Sequence, residues 1–205
     1  EVADWTVQAQ RSTVSTSGGW PASALGIAVY ANNGVINIAA ARCVIVSCSS
    51  RVTTTTALAG KGASSVGIAA FSFVSIATIS MVDVSMLALN STIATDGISS
   101  VSSVGWTIAA HVGSSITATR TLLLAANGSE IRSTGSNAVA SVGIAITGSE
   151  VNATFVNASF FLLSANVTSV GSGPAVSSGG VSLTGDGKLM HVDATSVTII
   201  AMSST

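Results

Sequence analysis

One short signature returns five times along this chain: Leu25-Gly26-Ile27-Ala28, Val66-Gly67-Ile68-Ala69, Val104-Gly105-Trp106-Thr107, Val142-Gly143-Ile144-Ala145 and Gly179-Gly180-Val181-Ser182. The central glycines are 41, 38, 38 and 37 residues apart. Self-similarity at that period means one supersecondary unit stacked on copies of itself, because a single unit cannot bury its own apolar face. The 205 residues therefore read as a single domain, a partial repeat over 1–22 followed by repeats starting near 23, 64, 102, 140 and 177.

Counted from each glycine, apolar residues keep register. Offsets one and three hold Ile27 and Val29, Ile68 and Ala70, Trp106 and Ile108, Ile144 and Ile146, Val181 and Leu183. Offset twelve holds Ile38, Ile79, Phe155 and Val192, with Ile116 one position earlier. Offsets seventeen and nineteen hold Val84 and Met86, Leu122 and Leu124, Phe160 and Leu162, Val197 and Ile199. Offset twenty-six holds Val52, Ile93 and Ile131, with Val170 one further on. Trp5, Val7 and Val14 fall on the same frame, so the chain opens inside a repeat. A spacing of two within each patch is strand periodicity. The chain is predicted to be all-β, a parallel β-helix (β-solenoid) with a repeat of about 38 residues, in which Leu124, Leu162 and Ile199 form one interior column. Periodicity alone leaves open whether each repeat is one wide coil of four or more strands or two narrower coils of about nineteen residues.

Composition narrows the partners. Charged residues make up only 7% of the chain, while Ser and Thr occupy 57 positions, so hydroxyls must supply the polar surface. A net charge of −1 with no basic cluster excludes an electrostatic footprint for nucleic acid or anionic lipid. The uncharged run from Gly62 to Val82 is long enough to span a bilayer, but Ser64, Ser65, Ser72, Ser75, Thr78 and Ser80 interrupt it in a strand-like alternation, so no membrane span is expected. The opening Glu1-Val2-Ala3-Asp4 carries neither an initiator Met nor a signal peptide, as expected of a processed chain or a segment of a longer one.

Five of the nine asparagines lie in Asn-x-Ser/Thr sequons: Asn90, Asn127, Asn152, Asn157 and Asn166. Asn90 and Asn166 sit at offset twenty-three and Asn127 at twenty-two, which predicts a row on one edge of the coil. That row is read as carrying N-linked glycans, against an asparagine ladder held by side-chain amides. Bulky glycans every ~4.8 Å would collide, so occupancy of all three would favour two coils per repeat. Cys43 and Cys48 could close one local disulfide in an oxidising compartment, against two buried thiols, and Cys48 falls in the slot the sequon asparagines hold later.

Catalytic and metal signals are thin. Polysaccharide-cleaving β-helices need clustered carboxylates with Arg or Lys on one face, and the only cluster is Asp186, Lys188, His191 and Asp193, where His191 and Asp193 should point to one side of a strand. Asp83, Asp96, Glu130 and Glu150 occupy different offsets, His111 stands alone, and neither cysteine has metal-ligand spacing. Glycine-rich stretches such as 170–173 lack a following Lys-Ser/Thr and read as turns. No catalytic residue, cofactor or metal is therefore expected. An ice-binding array would need threonines in register, and they do not keep it.

The stretch from Gly179 to Gly187, the strand-like Ala194-Thr195-Ser196-Val197-Thr198-Ile199 and the segment Val151-Asn152-Ala153-Thr154-Phe155 together resemble, in repeat style, the β-helix regions of very large kinetoplastid surface proteins of the dispersed gene family type. That resemblance implies a secreted or surface-exposed, glycosylated and adhesive role. The leading expectation is a structural extracellular glycoprotein, assembling head to tail with copies of itself or adjoining repeats into a filament or surface stalk. The strands around Trp5 and Val7 would complete the open end of a neighbour. The alternative is a carbohydrate-binding or polysaccharide-cleaving β-helix module.

Overall fold

The structure, a computed structural model, describes residues 2–18, 22–31, 35–56, 61–72, 76–97, 99–110, 113–135, 137–147, 150–172, 175–184 and 189–204. Four parallel sheets, here A to D, wrap the chain into a solenoid, and each coil visits them in that order. The first coil comprises β1 (Val2–Ala3), β2 (Thr6–Gln10), β3 (Thr13–Gly18) and β4 (Ala22–Ala31). The second comprises β5 (Ile36–Ala41), β6 (Val44–Cys48), β7 (Arg51–Thr56) and β8 (Lys61–Ser72). The third comprises β9 (Ile76–Val82), β10 (Ser85–Leu89), β11 (Thr92–Asp96) and β12 (Ser99–Ala110). The fourth comprises β13 (Gly113–Thr119), β14 (Leu122–Ala126), β15 (Glu130–Thr134) and β16 (Asn137–Thr147). The fifth comprises β17 (Glu150–Val156), β18 (Ser159–Leu163) and β19 (Asn166–Val170), with β20 (Ala175–Ser178) and β21 (Val181–Thr184) both on sheet D. A partial sixth coil, β22 (Leu189–Thr195) and β23 (Thr198–Met202), closes the described chain. One repeat is thus one wide coil, and the two-coil alternative is excluded.

The glycine signature marks the middle of sheet D. Gly26 pairs with Gly67, Gly67 with Gly105 and Gly105 with Gly143. Each has φ between 127° and 136°, a backbone state that side chains do not tolerate, and a Cβ on Gly105 would collide with the Gly143 carbonyl. The bend at these residues turns the long D strands.

Two other corners use single non-glycine residues in the left-handed conformation. Asp4, Arg42, Asp83, Arg120, Asn157 and Ser196 make the turn from sheet A to sheet B; Arg11, Ser49, Asn90, Asn127 and Ser164 make the turn from B to C, and Ser203 follows β23 at the matching position. The ladder runs on through them, as in Asp83 N–H to Thr119 C=O (3.0 Å) and Asn90 N–H to Ala126 C=O (3.0 Å). From the first coil to the fifth their N–H groups are satisfied by the next coil, which offsets part of the cost of the strained backbone.

Counting at fixed offset slips because the D-to-A turn shortens by one residue before β13 and by two before β17. The true column is Ile38, Ile79, Ile116, Ala153 and Val192; Phe155 stacks instead with Ala40, Met81 and Ala118. Likewise Met86, Leu123, Phe160 and Ile199 form an interior column headed by Val7 and Ile45, while Leu124 faces outward above Leu87 and below Phe161. The expected column of Leu124, Leu162 and Ile199 does not exist, although the coil does. Val167, not Val170, continues the line of Val14, Val52, Ile93 and Ile131, and Val170 is exposed. The core is continuous along the axis, with Trp106, Phe155 and Phe160 fully buried and the two phenylalanine rings edge to face at 5.9 Å.

Candidate functional site

The chemistry on the surface divides by sheet. The outward columns of sheet B are Thr6, Val44, Ser85, Leu122, Ser159, Thr198; Gln8, Val46, Leu87, Leu124, Phe161, Ile200; and Gln10, Cys48, Leu89, Ala126, Leu163, Met202. None is charged. The outward side of sheet C instead carries Arg51, Asp96, Glu130 and Arg132 among threonines. There Thr53, Thr55, Ala94, Asp96, Arg132 and Thr134 border a shallow open depression of about 260 Å³.

Along the A-to-B corner, charges alternate from coil to coil. Arg42 grips Asp4 in a two-pronged ion pair (Nη2 to Oδ2, 2.7 Å), and Arg120 grips Asp83 likewise (2.6 and 2.8 Å). Each arginine holds its partner's carboxyl below the ordinary value of 3.8, chiefly by direct hydrogen bonding. These pairs were not singled out from the sequence, though their spacing follows the glycine period. At the B-to-C corner a serine column does similar work. Ser12, Ser50 and Ser91 offer their amide N–H to the hydroxyls of Ser50, Ser91 and Ser129, at 3.2, 3.3 and 3.1 Å. Ser50 and Ser91 return their own O–H to the carbonyls of Cys48 and Leu89.

All five sequon asparagines are exposed. Asn90 and Asn127 share the B-to-C corner on adjacent coils, and Asn90 Nδ2 donates to Ser49 Oγ (3.3 Å). Asn166 is not in that row, because it opens β19 beside Glu130. Asn152 lies outward on sheet A between Ser115 and His191, and Asn157 is a left-handed corner residue. The third residue of the Asn127 sequon, Ser129, is buried and bonded to the carbonyls of Ala88 and Ala126, so its hydroxyl has a structural task.

The expected disulfide is absent. Cys43 precedes β6 and Cys48 ends it, a separation of roughly 16 Å along an extended strand against the about 4.4–6.8 Å between Cα atoms that a bridge requires. Cys43 is a buried spacer stacked between Trp5 and Val84, and Cys48 occupies the column of Leu89 rather than that of Asn90. His191 and Asp193 do share one side of β22, 3.0 Å apart, and both are exposed. Asp186, Lys188 and His111 lie outside the described residues. Among the described residues, no group of three His, Cys, Asp or Glu side chains is placed to hold a metal, and no helix is long and apolar enough to cross a membrane.

Trp5 and Val7 head two interior columns at the first coil, where they are half-buried against the core. At the other end the same columns finish in Val197 and Ile199, and Ile199 is 56% exposed.

The fold defines a parallel β-solenoid. Comparison with protein-family models, curated proteins and solved structures returned no match for this chain.

Proposed function

We propose that this chain is a structural solenoid of an extracellular surface, extended end to end by stacking on further coils of the same kind, supplied by copies of itself or by adjoining repeats. The observation that carries the reading is the unbroken register of the coils: the interior column of Val7, Ile45, Met86, Leu123, Phe160 and Ile199 runs through every described coil, so a further coil of the same kind extends it without change. Seating β2 of one copy on β23 of another would bury Val7 on Ile199 and continue the ladder in register. The extracellular placement and N-linked glycans at Asn152, Asn157, Asn166 and one or other of Asn90 and Asn127, which stand ~4.8 Å apart on adjacent coils, rest on the exposure of those sequons and on the repeat style.

Negative-stain imaging with light scattering tests the stacking. Wild-type protein should form rods that lengthen with concentration, and an Ile199→Lys variant should form none. Rods that persist unchanged in Ile199→Lys and in a Trp5→Lys, Val7→Lys double variant would refute end stacking. The carbohydrate-binding alternative has one observation in its favour, the threonine-lined depression beside Asp96 and Arg132. Glycan-array binding abolished by Asp96→Ala would establish it.

A further inference from the structure

The outward face of sheet B is unlike those of sheets A and C. From the second coil to the sixth its middle outward column is wholly apolar, Val46, Leu87, Leu124, Phe161 and Ile200, flanked by Val44, Leu122, Leu89, Leu163 and Met202 with Ser85, Ser159 and Thr198 among them, and it carries no charge. Val44 is exposed and Val46, Leu87, Leu89, Leu122, Leu124, Phe161 and Leu163 are half-buried, while Ile200 and Met202 lie on the last described strand, where inward and outward residues are exposed alike. An apolar patch this continuous on a sheet marks a surface that something covers.

We propose that its occupant is the same face of a second copy of this chain, the two sheets packed face to face with their solenoid axes antiparallel. Two observations select that partner. The face is neutral, so two copies meet without like-charge repulsion, whereas a charged partner gains nothing there. Asn152 and Asn166 lie on sheets A and C, away from the face, while Asn90, Asn127 and Asn157 stand on the corners that flank it, so the pairing is one of chains that carry no glycan at those corners. The charged corner then sets the direction. With a two-fold axis between the third and fourth coils, Leu87 meets the second copy's Leu124, Val46 meets its Phe161, and Asp83 comes opposite its Arg120. A parallel pairing would instead set that charged corner against Ser49, Asn90 and Asn127.

Area decides how strong the pairing is. Three columns over the four coils that meet apolar to apolar, the second to the fifth, at ~4.8 Å between strands and ~6.6 Å between columns, give roughly 380 Å² per copy, so one pair falls short of a standard interface of about 1,200–2,000 Å². The pairing is therefore weak for single copies and strengthens as units stack, because the face continues along the axis. It does not depend on stacking, so the two can fail separately.

Cys48 is a built-in reporter, being half-buried on this face, whereas Cys43 is in the core. The experiment is sedimentation of the Ile199→Lys chain over a concentration series, with maleimide labelling of Cys48 in parallel. The expected result is a shift from 20.1 kDa to twice that mass, with Cys48 labelling slowing over the same range. Addition of Leu124→Glu and Phe161→Glu should abolish the dimer while the far-ultraviolet circular dichroism is unchanged. A chain that stays monomeric with constant Cys48 reactivity overturns the proposal, as does a dimer indifferent to both substitutions. Monomers whose Cys48 is protected only by added phosphatidylcholine vesicles would also overturn it, and would assign the face to lipid. Should the double variant misfold, concentration-dependent protection of Cys48 in the unsubstituted face decides alone. Dimers without rods in the wild type would sink end stacking and leave this pairing standing.

Discussion

Sheets B and C are built by the same coils, from strands of nearly equal length, yet they solve opposite problems. Sheet B is apolar on both sides: Ile45, Met86, Leu123 and Phe160 inward, Val46, Leu87, Leu124 and Phe161 outward. Sheet C mixes an apolar interior column, Val52, Ile93, Ile131 and Val167, with a hydroxyl column of Thr54, Thr95 and Ser133. Those hydroxyls are tied to sheet D, with Ser64 Oγ donating to Thr54 Oγ1 (2.8 Å), Ser102 Oγ to Thr95 Oγ1 (2.9 Å) and Ser133 Oγ to the Val139 carbonyl (2.7 Å). In a solenoid each column is a separate choice of chemistry, so one side of the coil can be held by packing and another by hydrogen bonds.

Breaking the B interior should cost most. Phe160→Ala empties a fully buried site against Phe155 and is expected to destabilise by about 3–5 kcal/mol in denaturant titration. The C interior is expected to fail through its polar groups. Thr95→Val keeps the shape but removes the donor to the Val101 carbonyl and the acceptor for Ser102, at about 1–3 kcal/mol by the same measurement. Exchanging the outer faces, Leu87→Thr on B and Thr53→Leu on C, should move stability by only about 0.5 kcal/mol either way, while retention in size-exclusion chromatography shifts toward smaller species for the first variant.

The smallest effect concerns the charged corner. Because Asp4 and Asp83 titrate below 3.8 when folded, their contribution is complete above that value and is lost as pH falls through the lowered folded values. The melting temperature of the wild type should therefore drop more steeply below about pH 4 than that of an Asp4→Asn, Asp83→Asn variant. Equal slopes would show that these exposed pairs are too well solvated to matter.

The glycine column could be read from the sequence because its cause is local: a bend that admits no Cβ must recur wherever the coil recurs. Interior columns close to that glycine were read correctly for the same reason, as with Ile27, Ile68 and Trp106. Beyond the D-to-A turn the reading failed, since a turn can shed one or two residues without disturbing the strands it joins, and Leu122 and Leu124 were taken for interior residues. Around Leu122 and Leu124 sheet B is apolar on both sides, as Leu122–Leu124 and Phe160–Leu163 show, so alternation could not reveal the slip. The serine column at Ser12, Ser50, Ser91 and Ser129 was hidden in a chain where hydroxyl residues are everywhere. The alternating pairs Asp4 with Arg42 and Asp83 with Arg120 were legible in spacing alone, but their signs alternate, which a search for like residues passes over.

The claim on which the rest depends is that one repeat makes one coil, with Val46, Leu87 and Leu124 on consecutive strands. Nuclear Overhauser contacts between backbone protons of Leu87 and Leu124, and of Leu87 and Val46, test it directly. The expected result is both sets of contacts, at the close approach of neighbouring parallel strands. Contacts from Leu87 to residues about nineteen positions away, with none to Leu124, would mean two coils per repeat and would contradict the account.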